Sequence, residues 1–192
     1  TELINAGAEL DARIYDDWTP LLVACKINPN PEVVKTLLDA GADKNAVTSI
    51  GSNALMMAAG FNSNPEVVSL LLSEGFDIHS KDNDGGTAIL YAAGYYGFQN
   101  YGAGAFVSNH DVVAELIGAG ADVNAQSNDG WTPLMIALTD HEDPEIITAL
   151  IQAGADIHRR DFNNYTPLML ASRFRLLVTE HISVLIDAGA DV

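Results

Sequence analysis

The chain contains one cysteine, Cys25, so no internal disulfide can form and a cross-linked scaffold is excluded. Cations are equally scarce: 9 lysines and arginines stand against 26 aspartates and glutamates, for a net charge of -17. Such a surface repels phosphate backbones and anionic lipid, which excludes nucleic acid and favours a neutral or basic protein or peptide as partner. Many of these acids also recur at fixed intervals, where they suit turns and helix starts. No apolar run approaches the roughly 20 residues of a membrane span, so no membrane partner is expected. Thr1 to Leu10 lacks the basic start and apolar core of a secretory leader, and a cytoplasmic setting is favoured. Charged residues make up only 18% and hydrophobic ones 48%, the balance of a folded chain rather than a disordered one.

What the sequence has in abundance is repetition. The tripeptide Ala-Gly-Ala is centred on Gly7, Gly41, Gly120, Gly154 and Gly189, with the variant Glu74-Gly75-Phe76 between, in steps of 34, 34, 45, 34 and 35. A second anchor, Thr19-Pro20-Leu21, recurs at Asn53-Ala54-Leu55, Thr87-Ala88-Ile89, Thr132-Pro133-Leu134 and Thr166-Pro167-Leu168, in steps of 34, 34, 45 and 34. Two independent anchors keep one register, so the unit is about 34 residues and one unit carries eleven more. The expected division of this single domain is a partial unit over 1–13, then 14–47, 48–81, 82–126 with the insertion, 127–160 and 161–192. Both ends look abrupt, because the first residues align with the middle of a second helix, and a fragment of a longer array is the preferred explanation.

Each unit reads as helix, turn, helix and an extended finger. Thr19, Thr87, Thr132 and Thr166 suit helix caps, and proline follows three of them at the first helical position, where its missing N–H costs nothing. Leu55-Met56-Met57-Ala58-Ala59 is apolar all round, as in a helix covered on several sides. The second helix opens with Asn30-Pro31-Glu32, Asn64-Pro65-Glu66 or Asp143-Pro144-Glu145, a cap, a proline and an acid at the positive end of the helix dipole. Its apolar residues, such as Val33, Val34, Leu37 and Leu38, fall on one helical face.

These residues resemble the ankyrin repeat, whose signature is Thr-Pro-Leu-His-x-Ala followed by Leu-Leu-x-x-Gly-Ala-Asp, and the match spans essentially the whole chain. The resemblance implies an all-α solenoid of helix-turn-helix units with β-hairpin-like finger loops. Departures are present: Leu22, Met56, Leu90, Met135 and Met169 replace the family's histidine, and an Asn/Asp-Pro-Glu start replaces its Gly-His between helices. Hydrogen bonds through that histidine are therefore expected to be missing, with apolar packing in their place.

Catalytic and metal chemistry find little support. His79 and His158 share a repeat position but lie two units apart, on the order of 20 Å, far beyond a shared coordination shell. His110 and His141 have no second ligand spaced beside them. Asp82-Asn83-Asp84-Gly85 looks like the start of a calcium loop, yet the twelfth position, where a glutamate is needed, is Ala93. Cys25 lies in the apolar run Leu21–Cys25 with no base nearby in sequence, and no Gly-x-Ser-x-Gly elbow or phosphate-cradling loop occurs. The chain is therefore expected to be non-catalytic, with no cofactor and no metal.

Binding is the expected function, a scaffold that holds a partner protein or peptide. The resemblance implies a concave surface of finger tips and exposed first-helix ends. The position before the helix cap carries Trp18, Ser52, Gly86, Trp131 and Tyr165, and other finger positions give Tyr15, Ile50 and Phe162. First-helix ends supply Lys26, Phe61, Tyr95, Arg173 and Phe174. Aromatic residues and arginine dominate binding hot spots; rings at helix ends equally suit packing against the next unit. The expected contact set is Tyr15, Trp18, Lys26, Ile50, Tyr95, Trp131, Phe162, Tyr165, Arg173 and Phe174. The insertion, with five aromatics between Tyr95 and Phe106, is either a further contact or a loop folded on its own rings. Two alternatives stay open: the targeting segment of a larger enzyme, and a purely structural spacer.

Overall fold

A computed structural model of the chain describes residues 2, 6–95, 110–140, 144–173 and 179–191. Most of the insertion (residues 96–109), His141, Asp143, Phe174 and Leu176 to Val178 lie outside the described residues. Five helix pairs follow one another: α1 (Pro20–Ile27) with α2 (Pro31–Asp39), α3 (Ala54–Phe61) with α4 (Pro65–Ser73), α5 (Ala88–Ala92) with α6 (His110–Gly118), α7 (Pro133–Asp140) with α8 (Pro144–Gln152), and α9 (Pro167–Arg173) with α10 (Thr179–Asp187).

Caps set these starts. The hydroxyl of Thr19 accepts the Leu22 N–H, Asn53 Oδ1 accepts the Met56 N–H, and Thr132 and Thr166 accept from Met135 and Met169, all within 3.0–3.4 Å. Thr87 departs from this pattern: its buried hydroxyl has no hydrogen-bond partner. Asn30 and Asn64 cap the second helices through Glu32 and Glu66. At the far end of α2, Gly41 turns the chain at φ 94, and the Ala42 N–H reaches back to the Leu37 carbonyl.

The first helices pack on one another along the stack, and the second helices form a flanking row against them. This placement explains the all-round apolarity of α3, in which every residue from Ala54 to Gly60 is buried. A single core, from Leu21 and Cys25 through Met57 and Val68 to Leu134, Leu150 and Leu185, runs through all five units. One member of the core row is anomalous. His181 occupies the α10 position held by Val67, Val112 and Ile146 in other second helices; it is fully buried and neither ring nitrogen has a hydrogen-bond partner. Stranded polar atoms cost stability, so His181→Ile should raise the unfolding free energy by about 1–2 kcal/mol, measured by urea denaturation.

The expected β-hairpin fingers are not formed; the described residues contain no strand, and the only pairing is an isolated bridge between Val47 and Asn53. Each finger instead closes over five residues with two backbone bonds: Thr48 N–H to Ser52, Asp82 to Gly86, Ser127 to Trp131 and Asp161 to Tyr165, and in return the Gly51, Gly85, Gly130 and Asn164 N–H groups to the carbonyls of Thr48, Asp82, Ser127 and Asp161. Side-chain oxygens take amides that a strand partner would otherwise have bonded. Asp82 Oδ1 accepts from Asp84 and Gly86, and Asp161 Oδ1 accepts from Asn163 and Tyr165. The remaining backbone groups bond sideways, from Ser49 to Asp16, Asn83 to Ile50, Asn128 to Asp84 and Phe162 to Asp129. Fingers are thus stitched tip to tip rather than folded into two-stranded ribbons.

The missing histidine links are replaced in two ways. Leu22, Met56, Leu90 and Met135 are buried as apolar packing, whereas Met169, in the last unit, is 50% exposed. Polar links between units also exist, made by asparagine. Asn62 Nδ2 donates to the carbonyls of Cys25 and Asn28, and Asn64 Nδ2 donates to that of Pro29.

Candidate protein-binding surface

The row before the first-helix cap is held by the finger closure just described. The Trp131 N–H bonds the Ser127 hydroxyl at 3.2 Å, and the Tyr165 N–H bonds Asp161 Oδ1 at 2.8 Å. Both side chains emerge half-buried. Trp131 lies against a small second core of Leu90, Ala93, Ala125 and Ile136. In the first unit no side-chain oxygen is present at the equivalent position, Ile14. There the Ile14 N–H still bonds the Trp18 carbonyl, at 3.0 Å, and the turn runs through Asp16 and Asp17, both in the left-handed region at φ 60 and 61.

Cations stack on this row at both ends of the array. Lys26 Nζ sits 5.0 Å from the Trp18 ring centroid and 4.7 Å from that of Phe61. Arg173 Cζ sits 5.5 Å from the centroid of Tyr165. Arg173 is the repeat equivalent of Lys26, as Tyr165 is of Trp18, so one aromatic–cation pair occurs twice. Burial lowers the Lys26 pKa. Tyr15 and Phe162 stand out at 91% and 73% exposure, while Ile50 is half-buried and its carbonyl accepts the Asn83 N–H. Tyr95 is drawn inward: it meets Tyr91 edge-on at 6.2 Å, and its hydroxyl donates to the Asp84 carbonyl. Burial pushes its phenol up to about 12.

Between the two ends the row is interrupted by Ser52 and Gly86, and the helix-end position by Gly60 and Gly94. Tyr91, which sequence reasoning passed over, occupies this space. Its ring carbons lie 3.3 Å from where a Gly60 side chain would begin and 2.9 Å from the same point at Gly86. Its hydroxyl donates to Asp82 Oδ2 at 2.6 Å, leaving its oxygen to accept from the Ser52 hydroxyl, also at 2.6 Å. Burial raises the Asp82 pKa against the opposing pull of these hydrogen bonds. The sequence did hold a signal: a tyrosine stands where other first helices carry Val23, Met57, Ile136 and Leu170, beside small residues in both neighbouring elements.

With that geometry in place, comparison with known families finds ankyrin repeats in three copies, matching residues 1–82, 21–101 and 103–192. The chain belongs to the ankyrin-repeat family. No curated protein matches it closely enough to count as a relative. Ankyrin repeats are helical modules of protein–protein recognition and are typically non-catalytic.

Two of the candidate chemical groups of this ankyrin array, Asp82 and Cys25, are buried within it. The Asp82 carboxylate accepts hydrogen bonds from two amides and the Tyr91 hydroxyl. Among the described residues no group of three histidine, cysteine, aspartate or glutamate side chains is placed to hold a metal, and no helix is long and apolar enough to cross a membrane. Cys25 is fully buried, and burial pushes its thiol up to about 12. Thiol-specific reagents should leave it unmodified in the folded protein, and Cys25→Ala should change stability by at most about 3 kcal/mol without removing any chemical activity. Fast labelling under native conditions would contradict this.

Proposed function

We propose that this array is a non-catalytic scaffold that binds a protein or peptide across its finger tips and first-helix ends, on the concave side of the stack. The recurrence of an aromatic with a stacked cation, Trp18 with Lys26 and Tyr165 with Arg173, carries the reading. Such pairs present a large apolar face and a charge that a partner can use without freezing many rotamers. Trp131 continues the row, and Tyr15, Ile50 and Phe162 widen it at the finger tips. Tyr95 and Phe174 complete the proposed contact set, Tyr95 through the edge it leaves exposed. The net charge of -17 favours a neutral or basic partner.

Trp131→Ala should weaken binding of a partner isolated on the immobilised array by about 2 kcal/mol or more. Its contact with Leu90 and Ile136 adds a loss of about 1–2 kcal/mol in stability, so Phe162→Ala, at a mostly exposed ring, is the companion variant. Substitutions at Asp43 or Asp122, which hold the Asn45 and Asn124 amides in turns, should act on stability and leave affinity unchanged. Unaltered affinity in both Trp131→Ala and Phe162→Ala, measured by calorimetry, would refute the finger row.

A further inference from the structure

A polar cavity of about 300 Å³ opens between residues 78–81, which lead from α4 into its finger, and residues 122–126, which lead from α6 into the next. It lies inside the array, with whole units on either side, and does not depend on the finger row. His79, Lys81, Thr87, Asp122, Asn124 and Gln126 line it. Two irregularities of the repeat meet here. Thr87 is 4% exposed and its hydroxyl has no hydrogen-bond partner, whereas the hydroxyls of Thr19, Thr132 and Thr166 cap their helices. His79 stands where the following unit has Asn124, and its ring makes no hydrogen bond among the described residues.

The next junction of the array shows what fits such a place. There the Asn124 carboxamide reaches into the following unit: Oδ1 accepts the Asp156 N–H at 2.7 Å, and Nδ2 donates to the Gly154 carbonyl at 3.1 Å. Asp122 and Gly120 are the repeat equivalents of Asp156 and Gly154, and His79 bonds neither. Gly120 and Gly154 both turn at φ 91, so the two backbones present the same donor and acceptor. Charge narrows the choice further. The Asn124 amide is committed to Gly154 and Asp156, and the Gln126 amide to Gly130 and Arg159. Bonding capacity remains on the Lys81 ammonium, which gives one bond to the Gln126 carbonyl, and on the Asp122 carboxylate, which takes the Asn124 N–H. One ammonium and one carboxylate offset each other for an ion of either sign. A neutral group that both donates and accepts can bond to both.

We propose that this cavity binds the primary amide of an asparagine or glutamine side chain from a partner peptide. The amide oxygen accepts from the Asp122 N–H and Lys81, and the amide nitrogen donates to the Gly120 carbonyl and the Asp122 carboxylate. The Thr87 hydroxyl gains the partner it lacks. A carboxylate of the same shape has no N–H to donate and faces Asp122. An alkyl side chain leaves all of these groups without a bond, which is how a polar cavity discriminates.

The probe is the peptide acetyl-Gly-Gln-Gly-N-methylamide, titrated into the full chain while the backbone amide resonance of Asp122 is followed by NMR. The dissociation constant should be on the order of 10 mM, because a few hydrogen bonds at an open site contribute little net affinity. Peptides with glutamate or leucine in place of glutamine should bind about fivefold or more weakly. His79→Asn, at an exposed position and so compatible with folding, places the chain's own carboxamide where Asn124 has it in the next junction. In that variant the free Asp122 resonance should move toward its peptide-bound position, and the peptide should bind about fivefold or more weakly. The proposal is overturned by an unmoved Asp122 resonance at about 100 mM peptide, by equal affinity for the leucine or glutamate peptide, or by full affinity in His79→Asn.

Discussion

Asn62→Leu should lower the unfolding free energy by about 3 kcal/mol, one of the two strongest effects expected here. Asn62 is 2% exposed, and its amide satisfies three backbone groups at once. Nδ2 donates to the Cys25 carbonyl at 2.8 Å and to the Asn28 carbonyl at 2.9 Å, while Oδ1 accepts the Asn64 N–H at 3.0 Å. Leucine keeps the branched shape and is bulkier than asparagine, so the change leaves no cavity, and the loss comes from the hydrogen bonds with some added crowding. Each buried group left without a partner costs about 1–3 kcal/mol, and partial entry of water keeps the total well below the sum. Two of the bonds tie α1 and its turn to the next unit, so both neighbours should loosen together. Urea denaturation reads the midpoint, and an unchanged slope shows that the unfolded state is unaffected. Asn64→Ala removes a single exposed link to Pro29 together with a helix cap, and should cost only about 1 kcal/mol. Equal losses from the two variants would mean that the buried asparagine does not carry the joint.

Gly85→Ala should cost a similar amount, about 3 kcal/mol, for a different reason. Gly85 sits at φ 79, where a side chain adds about 1–2 kcal/mol of strain by itself. The rest comes from the next finger. A methyl group there would lie 2.8 Å from the Asn128 backbone nitrogen and 3.1 Å from the Ser127 carbonyl carbon, so the 127–130 turn must move away. Its movement stretches the Asn128 N–H bond to the Asp84 carbonyl, now 2.8 Å. Gly41 provides the control: it has φ 94 and open space beyond it, so Gly41→Ala should cost only the conformational term, about 1 kcal/mol. The Asn128 amide should exchange faster with solvent in Gly85→Ala and not in Gly41→Ala. Similar stability losses in the two variants would show that the tip-to-tip stitching contributes little.

Local chemistry made much of this fold legible in advance. Helix caps at Thr19, Thr132 and Thr166, the prolines after them and the apolar first helices are properties of short stretches, and each appears where the register places it. The fingers were misread for a related reason. A run such as Asp82-Asn83-Asp84-Gly85 suits a hairpin turn and a side-chain-closed turn alike, and the choice depends on whether flanking amides find a strand or the neighbouring finger. The role of Thr87 as a cap was misread too, since its hydroxyl is buried without a partner. Of the contact residues, Tyr15 and Phe162 are as exposed as their finger positions suggest, whereas Tyr95 turns inward onto Tyr91.

By itself, the sequence determined the unit length, the helix pairs, the family resemblance and the acidic surface, because these follow from spacing and composition read along the chain. Only the tertiary structure decided which equivalent positions are covered. Val23 and Met57 share a place in the repeat, yet one is half-open and the other is sealed by α1. Trp18 and Gly86 share another, yet one stacks under a lysine and the other yields its space to a tyrosine from α5. Burial and pairing are set by contacts about 34 residues or more away, where side-chain volume, rather than sequence neighbourhood, determines what fits.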